Sequence, residues 1–296
     1  MKILNFGSLN IDYIYQVEHF PSPGETLSAL EQHMVPGGKG LNQSNALARA
    51  GAHVYHAGVV GQGGEMLPRV LANSGVDISL LREKPVLQGN AIIQVNRSGE
   101  NCILLYGGSN QAIDHTQLEE TLSAFSAGDL IVLQNEVSCL TDMVDIAVSR
   151  GMRVALNPSP FNDKLKELPL DRLDWLFINE IEGTQLTGRS EPADILRQIR
   201  ENWPSLKVVL TLGGEGAVCA VPGQPLLRHP AFPVNAVDTT AAGDTFTGFF
   251  LAGYAAGLSL PDCLKRAAAA AAISVSHMGA SVSIPTANDV DSFLNA

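Results

Sequence analysis

Short apolar runs recur along this chain, and most are followed by a stretch whose apolar residues fall at helical spacing. Strands are predicted over 3–7, 54–60, 130–134, 153–156, 175–178, 207–212 and 217–220. Helices are predicted over 40–50, 64–74, 117–124, 139–149, 181–187, 193–202, 244–256, 261–275 and 288–295. Such alternation implies an α/β fold with a doubly wound, mostly parallel sheet covered on both faces. Right-handed crossovers then bring the C-terminal ends of the strands to one rim, where ligands bind in such sheets. The segments 12–35 and 87–108 break the rhythm. They read as extended chain, and "NRSGEN" between two β-rich arms is a hairpin signal. Together they predict a small β-sheet lid on a single α/β domain spanning 1–296. A lid over the rim would exclude water that competes as a reactant.

The apolar run at 246–260 contains glycines and is shorter than the roughly 20 residues a membrane span needs. It is therefore predicted to be a buried helix. The net charge of −11 argues against nucleic acid or an anionic membrane as the main partner. It leaves phosphorylated small molecules open, because helix-start N–H groups can bind phosphate in an acidic protein. Cys102, Cys139, Cys219 and Cys263 are widely spaced, with no C-x-x-C pair. A reducing, cytoplasmic setting is expected. The first residues read as a strand, without a long apolar signal core.

Several polar, glycine-flanked stretches fall at the predicted rim. In "VDTTAAGDTF", Ala241, Ala242, Gly243 and Asp244 open a helix. Free N–H groups there would form an anion hole, and the adjacent carboxylate could take a proton from a hydroxyl. The alternative is an Asp that merely caps a core helix. "PGGKGLN" places Gly38, Lys39 and Asn42 at another helix start, although it is no P-loop. Asn179 and Glu182 follow a strand. Glu182 could hold hydrated Mg²⁺, or the pair could be an ordinary cap with an acidic first turn. "TLGGEG" could pass beneath a nucleotide or be a plain hairpin turn. Glu136, Asn10 and Asp12 could grip sugar hydroxyls, and Asn10 and Asp12 share one side of a strand.

This set of stretches, together with "GSLNID", "PSPGET", "NPSP" and "HMGASVSIP", resembles the ribokinase-like carbohydrate kinases, the PfkB family, with the ribokinase branch nearest. The resemblance runs almost end to end. It implies that Asp244 is the catalytic base and that Ala241, Ala242 and Gly243 form the anion hole for the transferring phosphoryl group. It assigns Asn10, Asp12, Gly38, Lys39, Asn42 and Glu136 to the sugar. Asn179, Thr211, Gly213, Gly214 and Gly216, with Gly243, fall to the nucleotide, and Glu182 to Mg²⁺. It also implies a K⁺ site from Asp238, Thr240, Ser274, His277, Gly279 and Ser283, with the backbone of His277 contributing rather than its imidazole. Ala268 stands where the family often has a polar residue touching adenine, and Gln88–Asn90 in the lid carries polar groups of its own.

The expected activity is ATP-dependent transfer to a primary hydroxyl of a sugar, with D-ribose to ribose 5-phosphate first. A fructose-like sugar or a nucleoside is the alternative acceptor, and a catalytically silent sensor of sugar or nucleotide is the alternative class. The exposed lid edges predict a homodimer through the lid.

Overall fold

The computed structural model describes the backbone of residues 1–296 and the side chains of all but residues 164 and 166. The chain enters through β1 (Ile3–Phe6), a fully buried strand. It leaves directly into β2 (Asn10–Gln16) and β3 (Glu31–Gly37), then turns into α1 (Lys39–Arg49). β4 (Val54–Gln62), α2 (Leu67–Asn73) and β5 (Asp77–Leu87) follow, then the hairpin β6 (Asn90–Val95) and β7 (Asn101–Tyr106). Next come α3 (His115–Ser123), β8 (Leu130–Gln134), α4 (Leu140–Ser149), β9 (Arg153–Asn157), β10 (Trp175–Asn179), α5 (Glu180–Thr187) and α6 (Pro192–Asn202). β11 (Lys207–Thr211), β12 (Ala217–Ala220), β13 (Leu227–His229), α7 (Ala242–Ala255), α8 (Leu260–Val275) and α9 (Ala287–Leu294) complete the α-helices and β-strands.

Nine strands form the main sheet in the order β13-β12-β11-β10-β9-β8-β1-β4-β5. The run from β11 to β5 is parallel, and β12 and β13 add an antiparallel edge. Alternate residues serve opposite faces. Ile3, Leu130 and Val132 join one core with Leu41, Leu67, Phe250 and Leu264, while Leu4, Ile131 and Leu133 join the other with Leu118, Met143, Val144 and Ile195. Central strands buried on both faces need the continuous apolar runs the sequence displays. The winding reverses at β1, with β4 on one side and β8 on the other. Ligands bind beyond the strand ends at such a switch point.

The lid is a separate sheet ordered β3-β2-β6-β7. Its strands begin at Asn10 and Asn90 rather than at the expected 12 and 87. Leu87 ends β5 in the main sheet. Gln88 is buried at the junction. Its Oε1 accepts from the Gly61 N–H at 2.8 Å, and its amide donates to the Leu9 carbonyl. It fastens the lid to the sheet, so the polarity noted at Gln88 serves the fold. β5 and β13 escape the sequence pattern. Both are edge strands, and β5 mixes charges and Pro85 into a half-exposed run.

Candidate active site

α7 starts from an unusual residue. Ala241 is the N-cap and lies at φ 61°, in the left-handed region. A side chain there costs on the order of 1 kcal/mol, so the surrounding contacts must impose it. Asp238 supplies part of that constraint. Its Oδ1 accepts from the Thr240 N–H at 2.9 Å and the Thr240 hydroxyl at 2.6 Å, and its Oδ2 accepts from the Gly279 N–H at 2.9 Å. Partial burial works against its charge, but these bonds hold its pKa below the usual carboxylate value. The first acid of "VDTTAAGDTF" thus shapes the loop that launches the helix. The amides of Ala242, Gly243 and Asp244 lie in the first turn; the Ala242 N–H donates to the Thr239 carbonyl at 3.3 Å, which leaves those of Gly243 and Asp244 without a partner one turn back.

Asp244 is buried just inside that turn. Asn42 Nδ2 donates to its Oδ2 at 3.1 Å, and Gln43 Nε2 to its Oδ1 at 2.9 Å. Burial raises its pKa, while Lys39, Gln43 and Asn42 pull the other way. A carboxylate made more basic yet held by donors suits a proton acceptor.

A pocket opens over this helix start. It is lined by Lys39, Asn157, Ser159, Phe177, Ile178, Asn179, Glu182, Thr211, Thr239, Ala241, Ala242, Gly243, Asp244 and Thr247. The sequence thereby brings α1, β9, β10, β11 and α7 to one rim. Lys39 sits among carboxylates. Burial opposes its charge, but Asp244, Glu136, Glu182 and Asp12 hold its pKa above the ordinary lysine value. Glu136 accepts from the Ser8 hydroxyl and from the Lys39 N–H, the latter at 3.1 Å. Burial raises its pKa against Lys39 and these bonds, with Asp244 adding to the rise. Asp12 rises to about 7, through burial first and Glu136 second, with Lys39 opposing. Gly37 must be glycine here, since a Cβ would fall 2.0 Å from Asp12 Oδ2. Gly38, at φ 95°, packs its Cα side against the backbone of Ser8 and Asn10. Asn10 is buried, and its Oδ1 accepts from Asn110 Nδ2 at 2.7 Å.

The assigned sugar residues therefore gather around Lys39 and Asp244. The assigned nucleotide residues divide. Asn179 and Thr211 line the pocket, and Gly213 and Gly214 face open space where a Cβ would meet nothing within 4 Å. Gly216 is glycine for the fold. At φ 102°, a Cβ would fall 2.1 Å from the His229 carbonyl of β13. Asn179 and Glu182 form a reciprocal capping box on α5, as the plainer reading of that pair had it. Glu182 still lines the pocket with one oxygen outside the cap. No cluster of three potential metal ligands occurs among the described residues. Mg²⁺ asks only one or two carboxylates when phosphates and water complete its shell, so this donor set fits it.

At the other loop, the Ser274 and Ser283 hydroxyls meet at 2.9 Å, and Thr245 Oγ1 reaches Ser274 at 3.4 Å. The backbone N–H of His277 caps α8 on the Ser274 carbonyl, and its ring is exposed. The hydroxyls, carbonyls and Asp238 give an oxygen-rich setting suited to a monovalent cation. Ala268 is buried and offers no polar group. Sequence reasoning missed Gln43, Ser8, Asn110, Asn157, Ser159, Thr239 and Thr247. Gln43, Asn157 and Ser159 lie inside "PGGKGLNQ" and "NPSP", whereas Asn110 stands in a loop without a local pattern.

Residues 1–287 match the pfkB family carbohydrate kinase model. The chain is 34% identical to a ribokinase of Haemophilus influenzae, over 97% of this chain and 96% of that one. It is 32% identical to a deoxyribokinase of Salmonella typhi, over 100% and 99%. The structure of Arabidopsis thaliana ribokinase complexed with ribose and ATP aligns at 29% identity with a TM-score of 0.87, over 99% of this chain and 98% of that one. No helix among the described residues is long and apolar enough to cross a membrane. The residues at the rim, the two-sheet architecture and these likenesses agree: the chain belongs to the pfkB family of carbohydrate kinases.

Proposed function

We propose that this protein transfers the γ-phosphoryl group of ATP to a primary hydroxyl of a sugar, D-ribose to ribose 5-phosphate first. The observation that carries this is Asp244. It is a buried carboxylate in the first turn of α7, beside unpaired backbone N–H groups and Lys39, in one pocket. Asp244 takes the proton of the acceptor hydroxyl as that oxygen attacks the γ-phosphorus and ADP departs. Charge on the transferring group is met by the helix-start amides and Lys39. Asp12, Asn10, Asn42 and Glu136 orient the sugar, and the lid excludes water. Mg²⁺ would neutralise phosphate charge, and Glu182, which lines the pocket, is the carboxylate that would hold it. K⁺ held by Asp238 and the 274–283 loop would steady the turn at Ala241.

The likeness to a deoxyribokinase favours 2-deoxyribose as a second acceptor. The test is an ADP-release assay with ATP, Mg²⁺ and K⁺ against ribose, 2-deoxyribose, fructose, other pentoses and hexoses, and nucleosides. Turnover highest on ribose supports the proposal. Preference for 2-deoxyribose or another acceptor moves the substrate but keeps the chemistry. No turnover on any of them, with sugar and nucleotide still bound, makes the protein a sensor.

A further inference from the structure

Asn42 and Gln43 share the work of holding Asp244, but they are differently placed. Asn42 belongs to the assigned sugar set. Gln43 is wholly buried and does not line the pocket, and its other end is engaged by the protein. Gln134 Nε2, at the end of β8, donates to Gln43 Oε1 at 2.7 Å and to Asn5 Oδ1 at 2.9 Å. Asn5 Nδ2, in β1, donates to the Gly40 carbonyl and to Ser44 Oγ, both at 2.8 Å. Ser44 Oγ meets His56 Nδ1 at 2.7 Å. All these groups are buried among the central strands and α1.

The bonds can run in only one direction. A primary amide can turn over and exchange its donor for its acceptor, but a backbone carbonyl only accepts. Gly40 therefore obliges Asn5 to present its NH₂, which leaves Asn5 Oδ1 for Gln134. Gln134 must answer with its own NH₂, shared between Asn5 and Gln43. Gln43 receives that donor on Oε1, so its NH₂ is left for Asp244.

One acceptor is sacrificed to this order. Gln134 Oε1 is buried against Gly7 and has no partner. An orphaned buried acceptor is costly, by about 1–3 kcal/mol. Both hydrogens of Gln134 are nevertheless kept on Asn5 and Gln43.

We infer that Gln43 is a positioning residue for Asp244, and that Gln134 and Asn5 act through it by dictating which end of its amide the carboxylate meets. An inverted Gln43 would set Oε1 against Asp244 Oδ1, acceptor on acceptor. The carboxylate would then turn away from Asn42 or retain a proton, and sugar and ATP would still bind. The orientation is a property of the folded chain. Its catalytic consequence rests on the phosphoryl-transfer function proposed above.

The experiment compares wild type with Gln43→Met, Gln134→Met and the double variant. kcat, both KM values and Tm are measured, and the Asp244 carboxyl is titrated by ¹³C NMR without substrates. The charged groups facing Asp244, Lys39 of α1 and Glu136 beyond β8, are unchanged in every variant. Each single change is expected to lower kcat roughly 10- to 100-fold, as misplacement of a reacting group does, with KM values within about threefold of wild type. The double variant should be no worse than Gln43→Met, because Gln134 acts through Gln43. The Asp244 titration should move upward in all three. Additive losses, an unmoved Asp244 titration, or KM and Tm changing in step with kcat would overturn the inference. If wild type phosphorylates no sugar, the proposed function fails, and the NMR titration still decides the orientation. Should Gln43→Met not fold, Gln134→Met with the same titration carries the test alone.

Discussion

Gly248 of α7 lies directly against Ala46 of α1. A Cβ on Gly248 would fall 2.4 Å from the Ala46 Cβ. One turn earlier on each helix stand Asp244 and Asn42, and these bond at 3.1 Å. The close helix crossing and the grip on the base are thus one feature, since residues four apart share a helix face.

Gly248→Val should prise α7 from α1. Overpacking of this kind costs about 1–3 kcal/mol, so Tm should fall by several degrees. At temperatures where the variant is folded, kcat should drop further than sugar affinity, measured by steady-state kinetics and calorimetry. A variant with lowered Tm and unchanged kcat would separate the crossing from the site.

Asp244→Asn removes the proton acceptor while keeping the shape and one contact. Turnover is expected to fall by about 10²–10⁴-fold, with sugar binding retained by isothermal calorimetry. Full activity in this variant would dismiss Asp244 as the base.

Burial, with Glu136 beside it, pushes the Asp12 carboxyl up to about 7. Its raised value means that the folded state favours the protonated form. The stability it contributes is complete below the unfolded value near 3.8 and is lost as pH rises through about 7. The ionised form is the stronger acceptor for sugar hydroxyls. The sugar KM should therefore fall as pH rises from 6 to 8 (roughly the window around that value), and Asp12→Asn should flatten this dependence. The Tm of wild type should decline relative to Asp12→Asn over pH 4 to 7, followed by scanning calorimetry.

β7 carries Ile103, Leu104, Leu105 and Tyr106, all exposed, at the open edge of the lid. Such a strand is a template for pairing, and the proposed homodimer would cover it. Light scattering after size exclusion should give a dimer at micromolar concentration, and Leu104→Asp should give a monomer. A wild-type monomer would remove the proposal.

Asp238→Ala frees the Thr240 and Gly279 amides and loosens the turn that sets Ala241. Any stimulation of the wild-type rate by K⁺ over Na⁺ should disappear in this variant. Stimulation that survives would place the cation elsewhere.

Local pattern was enough for much of this. The alternation of β1, α1, β4, β8, β9, β10 and β11 with their helices is legible because strands buried on both faces need unbroken apolar runs. The lid hairpin is legible from "NRSGEN". The start of α7 is legible because small residues before an acid are what a helix-start anion hole requires. The sequence by itself thus determined the α/β class, the family, and the rim residues that lie within short motifs. Tertiary structure decided what depends on partners distant in the chain. Gly216 is glycine because β13 passes beside it, Gln88 became a fastener of the lid, and Asp12 rose toward neutrality because burial and Glu136 crowd its charge. The orientation of Gln43 hangs on Asn5, Gly40 and Gln134. Hydrogen bonds and desolvation act between atoms brought within a few ångströms, and only the folded chain sets those distances.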